Sequence, residues 1–109
     1  MEISFKNNRL RDVCQQEAKA RKELGDICAR KLRARLSEME AASNVTELVA
    51  GSPHPLTRDR LGQFAVSLAG GVRLVFEPAN NPIPRLNETS VDWSKVTIVS
   101  IEYIGDYHD

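Results

Sequence analysis

The spacing of hydrophobic residues changes along the chain, from helical in the first half to alternating in the second. Ile3 and Phe5 alternate weakly with polar residues and predict a short first strand. A first helix is predicted next, because one face carries residues at helical spacing and basic residues lie on the other side. The residues of that face are Leu10, Val13, Cys14, Ala18 and Arg21 or Leu24. Gly25 suits the end of that helix, and Asp26 suits the N-cap of a second one. Two helices joined so tightly are expected to form an antiparallel hairpin.

The second helix is predicted to bury one apolar face, made of Ile27, Cys28, Leu32, Leu36 and Met39. Beyond it, Asn44 followed three residues later by Glu47 is an N-cap pattern, which predicts a short helical turn through Leu48. The segment 51–55 is rich in glycine, serine and proline, which interrupt regular structure. We therefore expect a loop there, and His54 falls within it.

The second half of the chain predicts a sheet. Two alternating runs, 64–68 and 72–76, flank the tight-turn signal Gly70-Gly71 and predict a hairpin with one apolar face. The alternation places Arg73 on the opposite face, beside Gln63, Ala65 or Ser67. Residues 78–93 contain three prolines and show no periodicity, so they are predicted to form a long loop. The apolar run 96–104 predicts a final strand in the interior of the sheet.

These elements predict one α+β domain over residues 1–109. A strand and a helical hairpin come first, and a small, mostly antiparallel sheet follows. The helices are expected to cover one face of the sheet and to leave a polar face open. No apolar run approaches the ~18 residues that span a bilayer, and the first residues contain no apolar signal region. We therefore expect a cytoplasmic protein with no membrane partner.

The formal net charge is zero, yet the charges are unevenly distributed. Residues 1–36 include ten basic and five acidic side chains, whereas residues 77–109 include two basic and six acidic ones. A basic surface of this kind can bind RNA or an acidic partner. A solvated face of charged helices explains the same pattern, and the sequence leaves both interpretations open.

The cysteines and histidines of this sequence do not form a recognisable metal-binding motif. Cys14 and Cys28 both fall on apolar positions of the predicted helices, which indicates small buried hydrophobic residues. No cysteine–histidine cluster has the ligand spacing of a zinc site. The sequence therefore predicts no metal and no cofactor.

Two histidines, His54 and His108, lie in polar surroundings. Histidine titrates near neutrality and is the usual proton-transfer group of enzymes. In an extended chain, Asp106 and His108 project to the same side and Tyr107 to the other, so the carboxylate and the imidazole can interact. Acid–base catalysis is one interpretation of these residues. Two solvated surface histidines are the other, and position alone favours this second interpretation.

Four segments of the sequence, in their order along the chain, carry a family resemblance: His54-Pro55-Leu56, Asp59-Arg60-x-Gly62, the strand 72–76 and Asp106-Tyr107-His108. Together with the predicted layout, they resemble the RelE/ParE toxin superfamily, and within it the HigB branch of bacterial toxin–antitoxin systems. The resemblance implies a RelE-like fold and a small, cytoplasmic, metal-independent mRNA interferase. Such proteins cut translated mRNA in the ribosomal A site and are silenced by a cognate antitoxin, here a HigA-like one.

The resemblance also implies site residues. His54 matches the histidine before the sheet, Arg73 a strand arginine that faces the RNA, and the C-terminal catalytic cluster is matched by Asp106, Tyr107 and His108. In RNA cleavage through the 2′-OH, the two histidines would transfer protons, and Asp106 would orient a histidine or act as the base. Arg73 would hold the scissile phosphate, and Tyr107 would stack on a base or donate a hydrogen bond to phosphate.

Two further arginines, Arg58 and Arg60, are expected to add phosphate contacts. A surface ion-pair loop over residues 58–60 is the more common explanation of such a pattern. Trp93 and Tyr103 are interpreted as core or loop anchors, not as stacking platforms for bases. All of these interpretations remain open at the level of the sequence.

The chain departs from the branch in three respects: Asp109 extends past the usual end, the loop 78–93 is longer than in compact members, and the net charge is neutral. The main alternative is a non-enzymatic protein of this fold that binds DNA gyrase or only an antitoxin. The histidine pair favours the nuclease, because a gyrase binder has no need of it. A DNA-binding antitoxin is disfavoured, because no recognition helix is predicted after the helical hairpin.

Overall fold

The computed structural model describes residues 1–107, which form three α-helices and a five-stranded sheet of order β1-β5-β4-β3-β2. The strands are β1 (Glu2–Phe5), β2 (His54–Pro55), β3 (Phe64–Ser67), β4 (Val72–Pro78) and β5 (Ile98–Asp106). The helices are α1 (Asn8–Gln15), α2 (Glu17–Leu24) and α3 (Asp26–Ala41). Strand β1 is parallel to β5, and the other pairings are antiparallel. The α+β class and the mostly antiparallel sheet are confirmed.

The first predicted helix is divided in two at Gln16, whose backbone is extended. An unbroken helix through this segment would place Glu17 on the same stripe as Leu10 and Val13. The break leaves Glu17 and Ala18 exposed instead, and α2 buries Ala20. Predicting Ala18 on the buried face was therefore wrong.

The tight connection between α2 and α3 is the single residue Gly25, which has a positive φ of 85°. Asp26 was predicted to be the N-cap of α3, but it is the first residue of the helix. No side chain caps this end. The carboxylate of Glu17, at the start of α2, pairs with Arg21 and also with Arg33 in the middle of α3. The ion pair to α3 shows that the two helices fold back on each other as predicted.

Helix α3 buries the residues Cys28, Ala29, Leu32, Leu36 and Met39. Ile27, which was predicted to share that face, is 66% exposed. At 100° per residue, Ile27 lies about 150° around the axis from the mean direction of the buried side chains. Ala29 occupies the buried position in its place.

Truncation of Leu32, which is 2% exposed, is expected to destabilise the protein. We expect Leu32→Ala to lower the free energy of unfolding by about 2–5 kcal/mol, because it leaves a cavity in the core. The matched control is Ile27→Ala on the exposed face of the same helix, with an expected change within about 0.5 kcal/mol. Urea denaturation followed by circular dichroism measures both changes. Equal stabilities of the two variants would contradict the helix orientation.

The sheet buries residues on both of its faces. The face toward the helices contributes the main core, including Phe64, Leu74, Phe76 and Ile101. On the opposite face, a second cluster is formed by Leu56, Ala65 and Val75, with Tyr103 and Tyr107 packed against it. The hairpin predicted from the alternating runs is confirmed, but its second face is not purely polar. We call this second side the open face, because no helix covers it in the described part of the chain.

Strand β5 changes its side-chain alternation at Glu102, because its register to β4 shifts between Val75 and Phe76. Before the shift, Ile101 faces the main core opposite Phe76. After it, Ile104 faces that core, and Tyr103 lies opposite Val75 on the open face. An extra residue in one strand has this effect in any β-bulge.

The loop 79–92 is held in place by side-chain hydrogen bonds to its backbone neighbours. Asn80 Oδ1 accepts from the backbone N–H groups of Thr97 and Ile98, each at 3.1 Å. An isolated bridge joins Arg85 to Val91 across the tip. After the loop, Trp93 packs edge-on against Phe64 at 4.9 Å, as expected of an anchor. Within residues 1–107, no helix is long and apolar enough to cross a membrane.

Both cysteines are free thiols packed into or against the main core. Burial raises the pKa of the Cys14 thiol to about 12. A thiol of that pKa is ionised to roughly one part in 10⁴ at pH 8, against about one part in four for an unperturbed thiol. Because the thiolate is the nucleophile, we expect Cys14 to react with iodoacetamide about 10³-fold more slowly than a free cysteine. Peptide mass spectrometry before and after unfolding measures this, and equal labelling in both states would refute the burial of Cys14.

Candidate functional site

The centre of the open face is a row of residues that the sheet register places side by side. Ala65 pairs with Val75, and Val75 with Tyr103, so their side chains share this face. One row further, Arg73 lies between Ser67 and Gly105. Ala65 and Val75 have no exposed surface and form an apolar floor. The expected position of Arg73, on the face opposite the main core, is confirmed.

Two arginines and two tyrosines form a compact group on this floor, which we call the arginine–tyrosine cluster: Arg60, Arg73, Tyr103 and Tyr107. The Arg60 guanidinium carbon lies 4.7 Å from the ring centroid of Tyr103 and 5.0 Å from that of Tyr107. The Arg73 guanidinium lies 5.3 Å from the Tyr107 ring. The two rings meet edge to face at 6.3 Å. These distances fall within the range of cation–π attraction, so the aromatic rings hold both cations at the surface.

The two guanidinium carbons lie 5.0 and 5.3 Å from the centroid of the same tyrosine ring, so two positive charges are concentrated on this face. The apolar floor reduces screening by water on one side, which strengthens their attraction for an anion. An anion gains charge-assisted hydrogen bonds from each arginine that it contacts. The planar fork of arginine matches the oxygens of a phosphate group. The cluster is therefore a candidate phosphate-binding site.

Arg73 has unused hydrogen-bonding capacity at this site. Its Nη1 donates weakly to the Gly71 carbonyl oxygen at 3.4 Å. Its Nε is buried and has no hydrogen-bond partner within residues 1–107. A buried N–H without a partner costs free energy. An oxyanion at this position would accept that hydrogen bond.

Arg60 is held from its other side by a chain of polar side chains. Its Nη1 donates to Gln63 Oε1 at 3.2 Å, and Gln63 Nε2 donates to Glu77 Oε1 at 3.2 Å. Arg60, which was predicted to bind RNA, is thus a member of the arginine–tyrosine cluster. Arg58 is exposed, with a positive φ of 55°, and lies outside the cluster. Within the described residues, no ion pair joins either arginine to Asp59, so the ion-pair alternative has no support.

Asp106 ends β5 opposite Val72, in a register position on the side of the main core. Its carboxylate lies close to Gly71, where an added Cβ would approach Asp106 Oδ2 to 3.4 Å. Its backbone carbonyl accepts a hydrogen bond from the Tyr103 hydroxyl at 3.3 Å. Tyr107, one residue later, packs on the open face. Asp106 and Tyr107 therefore lie on opposite sides of the sheet, as strand alternation predicts.

His54 lies in β2 and not in a loop, which corrects the sequence-based expectation. It pairs with Ala65, so it shares the open face, but at the edge of the sheet. Two strand spacings separate its backbone from that of Val75, about 10 Å. The imidazole is exposed, and its Nδ1 lies 2.8 Å from the Ser52 carbonyl oxygen. His54 and Pro55 form a strand because they pair with β3, a long-range contact that local composition does not reveal.

The second predicted histidine, His108, lies outside the described residues, and so does Asp109. The predicted interaction between Asp106 and His108 therefore has no structural counterpart in residues 1–107. The sequence interpretation also omitted three residues that the structure places at the site: Gln63, Glu77 and Tyr103. For Gln63, the sequence did contain a signal: the alternation of side chains along the strand predicted that Gln63 shares a face with Arg73.

The sequence matches no protein-family model and no curated protein. Solved structures do match it over nearly the whole chain. A YoeB/ParE toxin from Agrobacterium tumefaciens superposes with a TM-score of 0.63 at 10% identity, covering 99% of this chain and all of that one. The chain has the fold of the YoeB/ParE toxins. A YoeB–YefM complex and a YoeB dimer, both from Staphylococcus aureus, superpose with a TM-score of 0.59 at 16% identity, over 100% of this chain and 98% of theirs.

The YoeB/ParE fold confirms the RelE-like architecture that the motifs implied. At these identities the likeness concerns the fold, and folds of this kind host more than one activity. The arginine–tyrosine cluster adds an observation that belongs to this chain itself. It lies on the face of the sheet that the helices leave open.

Proposed function

We propose that this protein is the toxin of a toxin–antitoxin system and an endoribonuclease that cleaves translated mRNA on the ribosome. The finer assignment within the RelE/ParE superfamily is a HigB-like toxin with a HigA-like antitoxin. The observation that carries the proposal is the pair of guanidiniums over the Tyr107 ring, with the buried Nε of Arg73 lacking a partner within residues 1–107. Such a pair fits the phosphate of a nucleic acid.

The proposed chemistry uses the substrate's own 2′-OH as the nucleophile. The 2′-oxygen attacks the adjacent phosphorus as a base removes its proton, and the 5′-oxygen leaves with a proton from an acid. The products are a 2′,3′-cyclic phosphate and a 5′-OH end. Arg73 and Arg60 would stabilise the charge on the phosphorane, where fixed donors are worth about 10²–10³-fold in rate. This step needs no metal and no cofactor.

His54 and His108 are the proposed proton-transfer groups, and the order of their roles stays open. His54 lies on the open face with an exposed imidazole, so a bound RNA strand that crosses β3 can contact it. Asp106 is retained as the group that orients His108 or serves as the base. The Tyr107 ring contacts both guanidiniums through cation–π interactions. Its main proposed role is therefore to position the two arginines, and no longer to stack on a base.

Two partners complete the proposal. The YoeB–YefM complex among the structural neighbours supports an antitoxin as the partner that neutralises this protein. The ribosome is the second partner, and basic side chains on the helices are suited to its RNA. Lys31 on α3 is exposed, whereas Arg33 and Arg35 form ion pairs with glutamates. Lys31 and Arg58 are thus expected to add phosphate contacts.

The experiment that tests the proposal is cleavage of an mRNA during translation in a purified bacterial system. We expect new 5′ ends within the reading frame, and we expect them only when ribosomes are present. A well-folded protein that produces no cuts would favour the non-enzymatic alternative, in which this fold binds gyrase or an antitoxin alone.

A further inference from the structure

A pocket of about 360 Å³ lies next to the arginine–tyrosine cluster, between the turn 59–63 and the loop 79–92. Its apolar walls are formed by Leu61, Pro78, Ile83 and Val91. Leu61 is 63% exposed, so much of its apolar surface is accessible to a bound group. A volume of this size accommodates a single nucleobase or a small side chain. Most of the other lining residues are polar or charged, so the pocket suits a group with hydrogen-bonding edges.

The pocket and the cluster share one side chain, Gln63. Gln63 lines the pocket, accepts a hydrogen bond from Arg60 and donates one to Glu77, which also lines the pocket. A phosphate held by Arg60 therefore lies one side chain away from the pocket. A nucleotide whose phosphate is bound by Arg60 can therefore place its base in the pocket.

The charges of the pocket exclude phosphate itself. Asp59, Glu77 and Glu88 supply three carboxylates, and Arg85 supplies one guanidinium. Net negative charge repels an anion and favours a neutral group rich in N–H donors. Among the four bases, uracil offers one N–H at its pairing edge between two carbonyl oxygens, and those oxygens would face the carboxylates.

We propose that this pocket binds guanine, from the nucleotide next to the scissile phosphate; the inference rests on the proposed nuclease function. Guanine presents two adjacent donors, N1–H and the N2 amine, and a carboxylate accepts such a pair with its two oxygens. Glu77 is the acceptor. Gln63 has two amide N–H groups, of which one donates to Glu77, so the other is suited to the guanine O6.

Adenine and cytosine fit this arrangement less well. Each presents one amine next to a ring nitrogen that is an acceptor, and the second carboxylate oxygen of Glu77 would face that acceptor. A lost or repelled hydrogen bond at a base edge is worth about tenfold or more in discrimination. The pocket is therefore expected to rank guanine first and uracil last.

The segment 86–90, which contributes Glu88 and Thr89 to the pocket, is held by hydrogen bonds within itself. Asn87 Oδ1 accepts hydrogen bonds from the backbone N–H groups of Thr89 and Ser90 and from the Thr89 hydroxyl, at 2.9, 2.9 and 3.1 Å. Leu86 N–H donates to the Ser90 carbonyl oxygen at 2.9 Å. A wall that is preformed loses less freedom on binding, which favours recognition of a small group.

The first arm of the test uses the full chain and free mononucleotides, and requires neither ribosomes nor catalysis. We expect GMP to shift the amide resonances of Gln63 and Thr89 at millimolar concentrations, and to bind about tenfold more tightly than UMP. Glu77→Gln should remove that difference. Glu40→Gln, the same change of charge on the exposed end of α3, should preserve it. Equal affinity for GMP and UMP, or shifts elsewhere on the protein alone, would overturn the proposal.

The second arm maps cut sites in translated mRNA for wild type, Glu77→Gln and Glu40→Gln. We expect cuts by the wild type to favour guanine beside the cut by about tenfold, and Glu77→Gln to cut with that bias lost. Cuts without a guanine bias would overturn the base pocket and leave the nuclease intact. Absence of all cuts, with GMP bound in the first arm, would overturn the nuclease and leave a guanine-binding pocket of another use.

Discussion

Replacing Arg73 with alanine is expected to lower the rate of mRNA cleavage by about 10²–10³-fold. Arg73 lies over the Tyr107 ring and has a buried Nε without a hydrogen-bond partner in the described chain, so its removal takes away a positive charge that we propose binds the scissile phosphate. The fold should be preserved, because Arg73 lies on the open face outside the main core, and the contacts it loses are a weak hydrogen bond to Gly71 and a cation–π contact with Tyr107. Single-turnover cleavage and the melting temperature measure the two effects separately.

Two variants control the Arg73 experiment. Arg73→Lys retains the charge and loses the planar fork, so we expect intermediate activity. Arg30→Ala removes an arginine from the exposed surface of α3, and we expect cleavage within a few-fold of wild type. If Arg73→Ala still arrests growth fully when expressed, the phosphate site is not on the open face.

Replacing His108 with alanine is expected to reduce cleavage by about 10²–10⁴-fold, the usual contribution of one proton-transfer group. The residue is assigned through the resemblance of Asp106-Tyr107-His108 to the catalytic cluster of the HigB branch. We expect His54→Ala to have a similar effect if the two histidines serve as acid and base. The pH dependence of the cleavage rate distinguishes the pair, because each variant should lose one limb of a bell-shaped profile.

The outcome for His108→Ala separates catalysis from binding. We expect the variant to bind ribosomes and a cognate antitoxin as the wild type does, since only the chemical step is removed. Full cleavage by His108→Ala would remove this residue from the mechanism. Loss of both binding and cleavage would indicate a structural role.

Much of the fold could be predicted, because local patterns and tertiary contacts agree over most of the chain. The Gly70-Gly71 turn, the alternation around it and the apolar stripe of α3 each predict one structure, and each forms. The N-cap pattern at Asn44 also forms, with its side chain accepting from the Thr46 N–H at 2.9 Å. Such agreement between local and global preferences is typical of natural sequences.

The features that could not be predicted depend on contacts between distant parts of the chain. The break at Gln16 has no glycine or proline to mark it, and it is accompanied by an ion pair between Glu17 and Arg33 of α3. The strand at His54 exists only because β3 offers a pairing edge. Neither feature has a local signal in the sequence.

The candidate site shows the same division. The side of the sheet on which Arg73 lies follows from alternation, and it was predicted. The position of Tyr103 depends on the register shift in β5, since plain alternation from Ile101 would have turned Tyr103 toward the main core. Sequence reasoning therefore assigned Tyr103 to an anchor, and the structure places it beneath Arg60.

The central claim is ribosome-dependent cleavage by the open face, and 5′-end mapping tests it most directly. One mRNA is translated in a purified bacterial system with wild-type protein, Arg73→Ala or Arg30→Ala, and in a parallel reaction without ribosomes. We predict new in-frame 5′ ends for wild type and Arg30→Ala with ribosomes, and a loss of about 10²-fold or more for Arg73→Ala. Cuts of equal intensity by Arg73→Ala, or no cuts by folded wild-type protein, would contradict the account.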